Sequence, residues 1–317
     1  MATMVTTTSG LSPTMQSYYD RKMLEWAKTQ FVYANYAQKR SIPKNNGKTV
    51  QFRRWTLFTP SATTQALTEG TTPTAQNLAM TAITATVKQY GAYVEVSDLL
   101  DLTAIDNVIS DSSELLGEQL GNVADMIVRD AMATTTNVQY AGSKTSDNDI
   151  TAAVKLTVDE IRKAVRTLKK SKARKFTRKG GRPHYVCIVD PDSVYDLQSD
   201  SLWQDVSKYS NAEQIYDGEL GKLFGVVFVE TTNGYVKNNT ATTAYGVHQT
   251  FVFGADAYGT VDVSGQGAIK AIVKPHGSAG TADPLDQRAT VGAKITAFTA
   301  CVLNDDWLVS IHHGVSA

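Results

Sequence analysis

Apolar residues in the stretch 104–133 recur at steps of three and four: Ile105, Val108, Leu116, Leu120, Val123, Ile127 and Ala131, interrupted only by Ser112. That period predicts one amphipathic helix. Its opposite side carries Asp106, Asp111, Glu114, Glu118 and Asp125. At about 1.5 Å rise per residue the helix would run about 45 Å. Such a length exceeds the ordinary globular helix, so other elements must be strung along it as along a spine. Gly117 and Gly121 share one face. Each is either a tolerated helix glycine, costing about 1 kcal/mol, or a point of close approach by another backbone.

The helical period also occupies residues 18–38, with Met23, Trp26, Ala27, Phe31, Ala34 and Ala37 on one face. It ends before Pro43, and Asn45-Asn46-Gly47 marks a turn. Residues 48–58 predict a strand of imperfect alternation: Val50, Phe52 and Phe58 on one side, Trp55 and Leu57 on the other. Residues 59–81 have no period, are rich in threonine and carry one charged residue, Glu69. A second strand, 82–96, presents Ile83, Ala85 and Val87, then Tyr90, Ala92, Val94 and Val96, so its phase slips near 89–91 as at a bulge. Together they predict an extended hairpin. Its polar connection cannot build a core of its own, and is either flexible or ordered by lying on something else.

Residues 134–151 are a polar loop. A second amphipathic helix spans 157–170, with Val158, Ile161, Val165 and Leu168 as its stripe and Thr157 and Glu160 placed as a capping box. From His184 the elements shorten. Residues 185–189 predict a buried strand, Asp190-Pro191 opens a helix, and strands follow at 226–230, 247–253, 258–263 and 268–273. The stretch 184–274 therefore predicts a compact mixed α/β unit of its own. A proline-marked join, 276–286, leads to one long alternating strand, 287–303. Val291, Ala293, Ile295, Ala297 and Cys301 take one side; Thr290, Lys294 and Thr296 take the other.

Composition adds mostly exclusions. The 317 residues are 42% hydrophobic and 20% charged, with formal net charge +0. That suffices for one large or two modest domains, with no global pull toward nucleic acid or membrane. Residues 1–10 lack the basic and apolar regions of a signal peptide, and no apolar run is long enough to span a bilayer. Cys187 and Cys301 lie in apolar, strand-like surroundings and read as core thiols. No phosphate-binding glycine motif, zincin helix or zinc-spaced cysteine pair occurs, and no nucleophile–base pair stands out. The chain is expected to be no enzyme and to need no cofactor or metal. His312 and His313, adjacent on a strand, would point to opposite faces. His276, close in sequence to Asp283 and Asp286, reads as a hydrogen-bonding loop residue rather than half of an acid–base pair.

Charge is uneven locally. Residues 162–182 include Arg162, Lys163, Arg166, Lys169, Lys170, Lys172, Arg174, Lys175, Arg178, Lys179 and Arg182, and no acidic residue. Lys169, Lys170, Lys172, Arg174, Lys175, Arg178 and Lys179 are the candidates for an electropositive contact surface, meeting phosphates or an acidic neighbour. The alternative is a solvated helix end, where cations suit the C-terminus. Phe176 is the one aromatic residue in the run, so base stacking is not expected.

An arm, an uncharged hairpin, a spine, an inserted α/β unit and a returning strand combine awkwardly in a monomer. They suit a protein that tiles with copies of itself. Phe31-Val32-Tyr33-Ala34 through Lys39-Arg40-Ser41-Ile42-Pro43, Gly47-Lys48-Thr49-Val50-Gln51-Phe52, Leu67-Thr68-Glu69-Gly70-Thr71-Thr72-Pro73 and Gln89-Tyr90-Gly91 occur in that order. The most specific segment is Asp283-Pro284-Leu285-Asp286-Gln287-Arg288-Ala289-Thr290-Val291-Gly292. Across most of its length the sequence thereby resembles the N4-type major capsid proteins of tailed bacteriophages, which have the Hong Kong 97-type capsid fold. It departs from the family at Ala289, where glycine is usual, and at Ala293, where an aromatic residue is usual.

The resemblance implies an α+β capsid fold divided into an N-terminal arm (1–47), an extended hairpin loop (48–97) and a peripheral domain (98–183) with spine helix 104–133. An axial domain (184–284) follows, then a return strand (285–317) that completes the peripheral domain. It implies a structural role: hexamers and pentamers forming an icosahedral shell around phage double-stranded DNA, assembled in the host bacterial cytoplasm and residing in the virion capsid. A portal protein, a decoration protein and packaged DNA are the partners it implies. The segment before the first helix is too short for a built-in scaffolding domain, so a separate scaffold is expected. Trp55, Phe58, Leu67, Glu69, Leu78 and Met80 would contact a neighbouring subunit, and Asp283, Pro284, Asp286, Gln287, Arg288 and Gly292 carry the family motif. Some relatives crosslink a loop lysine to a neighbour; no lysine lies between Lys48 and Lys88, so assembly is expected to be non-covalent. The alternatives are an encapsulin-like nanocompartment shell, or a nucleic-acid-binding protein acting through 162–182.

Overall fold

Among the described residues, two large sheets share one long amphipathic helix, and a two-stranded hairpin stands beside them. The structure is a computed structural model that describes residues 27, 31–56, 58–63, 65–105, 107–177, 182–204, 219–240, 245–263, 269–278 and 283–316. Strands β1 (Gln38–Ile42), β2 (Thr49–Trp55), β3 (Met80–Thr86) and β4 (Lys88–Ser97) precede helices α1 (Asp98–Thr103) and α2 (Val108–Met132). Then come β5 (Val138–Tyr140), α3 (Val158–Lys170), β6 (Tyr185–Val189) and α4 (Pro191–Gln198). The rest is strand: β7 (Glu219–Leu223), β8 (Val226–Glu230), β9 (Tyr235–Asn238), β10 (Gly246–Phe253), β11 (Tyr258–Val263), β12 (Lys270–Lys274), β13 (Arg288–Val302) and β14 (Leu308–His313).

β13 is the axis of the first sheet. β4 runs antiparallel along one edge, while β12 and β11 share the other, and β1 adds to β11 in parallel. Its alternation buries Val291, Ala293 and Ile295 against Leu116, Leu120 and Ala124 of α2. The second sheet runs β5-β14-β10-β6-β8-β7, with β9 on β10. β6 is buried along its whole length because both its faces are covered. Tyr185, Cys187 and Val189 pack with α3; Val186 and Ile188 pack with Val128 and Met132 at the far end of α2. One helix thus serves both cores, its first half on the first sheet and its last turns on the second.

The spine differs from its predicted form. It begins at Val108, where Asn107 Oδ1 accepts the N–H of Ser110 at 3.1 Å, and α1 is a separate helix capped by Ser97. Ile105 lies between the two helices, fully exposed. The buried stripe is Leu116, Leu120, Ala124, Val128 and Met132, flanked by Ser113, Gly117 and Gly121. Val123, Ile127 and Ala131 are only half-buried. Small side chains drew the contact face round, because they let neighbours come closer. A Cβ on Gly121 would sit 2.9 Å from the carbonyl oxygen of Ala27. Asp125, expected on the acidic outer face, is fully buried.

Other expectations are corrected in the same way, by tertiary partners. Residue 27 is helical, but residues 31–38 form a 3-10 turn at Tyr33–Asn35 and the start of β1; the rest of the helix predicted over 18–38 lies outside the described residues. The strand expected over 82–96 breaks at Val87 rather than at 89–91, since β3 pairs with β2 while β4 turns to β13. Thr157 makes no cap bond: the N–H of Val158 goes to Asp200 Oδ2 at 3.1 Å, and Glu160 is buried, accepting from Gln139 and Lys163. The stretch 184–274 is not one unit. β11 and β12 belong to the first sheet, and the second recruits β5 and β14 from outside that stretch.

Candidate assembly surfaces

Among the described residues the β2–β3 hairpin is anchored through its paired strands. Phe52 and Ala85 are buried there with Ile42, Val261 and Leu303, and Arg40 lies over the Phe52 ring at 4.9 Å. Arg54 hydrogen-bonds Asn304 across from it. Beyond these anchors the candidate contact residues all face solvent. Leu67 is 75% exposed and Leu78 69%, and Trp55, Phe58, Glu69 and Met80 are exposed as well. So many large apolar side chains on one projecting element make a surface that water tolerates poorly.

The segment beginning at Asp283 is a strand-launching turn. Asp283 is buried, and its Oδ2 accepts the N–H of Arg288, the first residue of β13, at 2.8 Å. Asp286 adopts φ +54° within the turn, its N–H on the Asp283 carbonyl. Gln287 accepts the N–H of Asp98 at 3.0 Å, which ties the turn to the start of α1. Pro284 is exposed, and Gly292 lies opposite Tyr93 in β4. Ala289 and Ala293 both face the core.

The basic run divides. Lys169 and Lys170 extend an exposed face of α3 that also holds Arg162 and Arg166. The chain then leaves the helix, with Lys172 at φ +54°. Arg174 lies over Trp307 at 5.6 Å and Lys175 over Tyr185 at 5.5 Å, so these two cations cover aromatic rings of the second core. Arg178 and Lys179 lie outside the described residues. The spacing of Arg162 and Arg166 was legible in the sequence; the residue that completes their face, Phe224, was not, because it arrives from the β7–β8 turn. Arg162 lies over its ring at 5.2 Å.

The histidines follow strand geometry. His312 Nδ1 meets Asp147 Oδ1 at 2.5 Å on one face of β14; His313 Nε2 accepts from Thr250 Oγ1 at 2.9 Å on the other. Burial pushes His313 down to about 4 and also lowers His312. His276 lies 3.8 Å from Asp101 rather than against Asp283 or Asp286. His248 donates to Asp190 at 2.5 Å, and this bond together with that from Ser193 holds the Asp190 carboxyl below its usual value despite burial. Asp190, Asp192 and His248 are near enough to share a cation, yet Asp190 and His248 already satisfy each other. Asp125 is the converse case: burial raises its carboxyl to about 6, although Oδ1 accepts N–H groups from Val32 and Ala34.

Residues 62–283 match a family model described as phage capsid protein. No curated protein sequence matches the chain. Among solved structures, it is similar to the capsid of Ralstonia phage GP4, with TM-score 0.69 and 14% identity over 89% of this chain and 88% of that one. It is similar to the capsid of cyanophage Pam1, with TM-score 0.65 and 15% identity over 90% and 92%. It is also similar to the head of the Helicobacter pylori bacteriophage KHP40, with TM-score 0.64 and 13% identity over 87% and 88%.

Proposed function

The chain belongs to the phage capsid protein family and has the Hong Kong 97-like α+β fold of those capsids, and from that premise we propose that it is the major capsid protein of a tailed phage, of the N4 type. It builds a shell from hexamers and pentamers around double-stranded DNA. Its role is structural rather than catalytic. The observation that carries this reading is the hairpin at 49–86, whose paired strands are anchored while Trp55, Phe58, Leu67, Leu78 and Met80 stand exposed. A projection of this kind is stabilised when it lies on another copy, where apolar area leaves water at about 25 cal/mol per Å². Its near-absence of charge keeps the desolvation cost of docking low. Contacts of one patch with a different patch on the next copy close into rings and shells.

In this reading residues 1–47 are the arm and 49–86 the extended loop. The sheet of β4, β12 and β13 with α2 is the peripheral domain; the sheet containing β6, β8 and β10 with α4 is the axial domain, and α3, expected in the peripheral domain, goes with this second sheet, on which it packs. Portal, scaffold and decoration proteins are its partners, assembly takes place in the host cytoplasm, and subunits associate without covalent links. Sedimentation and electron microscopy of the purified chain over a range of concentrations test the proposal. Rings or shells are expected, with a single monomer-sized band on denaturing gels. A chain that stays monomeric at high concentration, with and without co-expressed scaffold, overturns it.

A further inference from the structure

Arg162, Arg166, Lys169 and Lys170 stand at i, i+4, i+7 and i+8 of α3, on one face. Among the described residues Arg162 pairs with Asp159 at 2.8 Å, whereas Arg166, Lys169 and Lys170 form no ion pair. Together with Val165 and Phe224 the four cations line a groove of about 440 Å³.

Phe224 is the odd member. It forms the two-residue turn between β7 and β8 with Gly225, at φ +51° and +80° respectively. Such a turn favours Asn-Gly. A bulky side chain is strained in the left-handed region. Within the fold its ring meets Arg162 but stays 47% exposed, outside the core. An aromatic held in a strained turn, outside the core and ringed by cations, is explained by something that binds it.

We propose that this groove is a docking site for an acidic, amphipathic helical segment of a partner protein. A bulky apolar side chain of the segment rests on the exposed Phe224 ring, and its carboxylates meet Arg162, Arg166, Lys169 and Lys170. Carboxylates one turn apart on the partner helix advance at the same rise as these cations on α3. The exposed Phe224 ring favours a peptide with an apolar side chain over duplex DNA, whose phosphates offer no apolar anchor.

The test uses the full chain and a fluorescent helical peptide of about 14 residues, with glutamates spaced four apart around a central leucine. Saturable binding is expected, weakened at least tenfold when that leucine is serine. Phe224→Asn suits the turn and should fold at least as stably, yet it should weaken peptide binding at least tenfold. The double variant Lys169→Glu, Lys170→Glu should do the same. Undiminished binding to Phe224→Asn overturns the proposal. So does duplex or single-stranded DNA binding more tightly than the peptide through the same residues, which would make the groove a nucleic-acid surface.

Discussion

Asp125 Oδ1 accepts the backbone N–H of Val32 at 3.0 Å. The same oxygen takes the N–H of Ala34 at 3.2 Å, and Oδ2 has no partner among the described residues. Between these two bonds the Tyr33 side chain is buried, and Tyr258 Oη donates to the Tyr33 carbonyl at 2.7 Å. A carboxylate in the middle of the spine thus holds the N-terminal segment where both cores meet. Arg129, Tyr33 and Tyr258 are the titratable groups that face it.

The Asp125 carboxyl is raised from 3.8 to about 6, so between those values the folded chain binds more protons than the unfolded one. Its contribution to stability is present below pH 4 and is lost as pH rises through about 6, on the order of 2–3 kcal/mol. Asp125→Asn keeps the acceptor and removes the charge. Melting temperatures of the dissociated subunit from pH 4 to 7 should lose this slope in the variant. Asp125→Ala leaves the part-buried N–H groups of Val32 and Ala34 without their acceptor and should cost about 1–2 kcal/mol. An Asn variant with an unaltered pH profile would show that the carboxylate does not titrate there.

His313 acts in the opposite sense. Its folded pKa, pushed down to about 4, lies below the ordinary 6.5, so stability present above pH 6.5 is lost as pH falls toward 4. His248 and Asp190 face it from neighbouring elements. His313→Gln should be less stable at pH 7 by about 1–2 kcal/mol yet flatter on the acid side. The two opposing slopes overlap, and comparing both variants with the parent separates them.

Asp283 should matter for the turn rather than for charge. Asp283→Ala is expected to cost about 1–2 kcal/mol in urea unfolding, because the N–H of Arg288 loses its acceptor. Asp283→Asn should retain most of that stability. Equal losses in the two variants would point to the Arg288 guanidinium, 3.7 Å away, instead of the backbone bond.

For the hairpin, Trp55→Ser, Phe58→Ser and Leu67→Ser combined should leave subunit stability within about 0.5 kcal/mol per site, because all three are exposed. Shell yield, measured by sedimentation, should fall at least tenfold. Normal yield would remove these side chains from the subunit contact.

How much the sequence revealed can be judged element by element. β6, β8 and β11 lie where short apolar runs bounded by turn residues put them, because such runs read as strands buried on both faces. The spine was legible as a long helix, and close backbone approach at Gly121 was one of two readings its spacing allowed. The Asp283–Gly292 motif carried the capsid resemblance, and the basic face of α3 was visible as spacing. Tertiary structure alone decided which way the spine faces, since Val123 and Leu116 satisfy the helical period equally well and only the small residues beside Leu116 admit a neighbour's backbone. It also buried Asp125, because a carboxylate can leave water where backbone donors from a segment some ninety residues earlier meet it. And it placed Phe224 beside Arg162 and divided β10 and β11 between two sheets. Strand pairing and the approach of distant turns depend on contacts far apart in the chain, which no local pattern records.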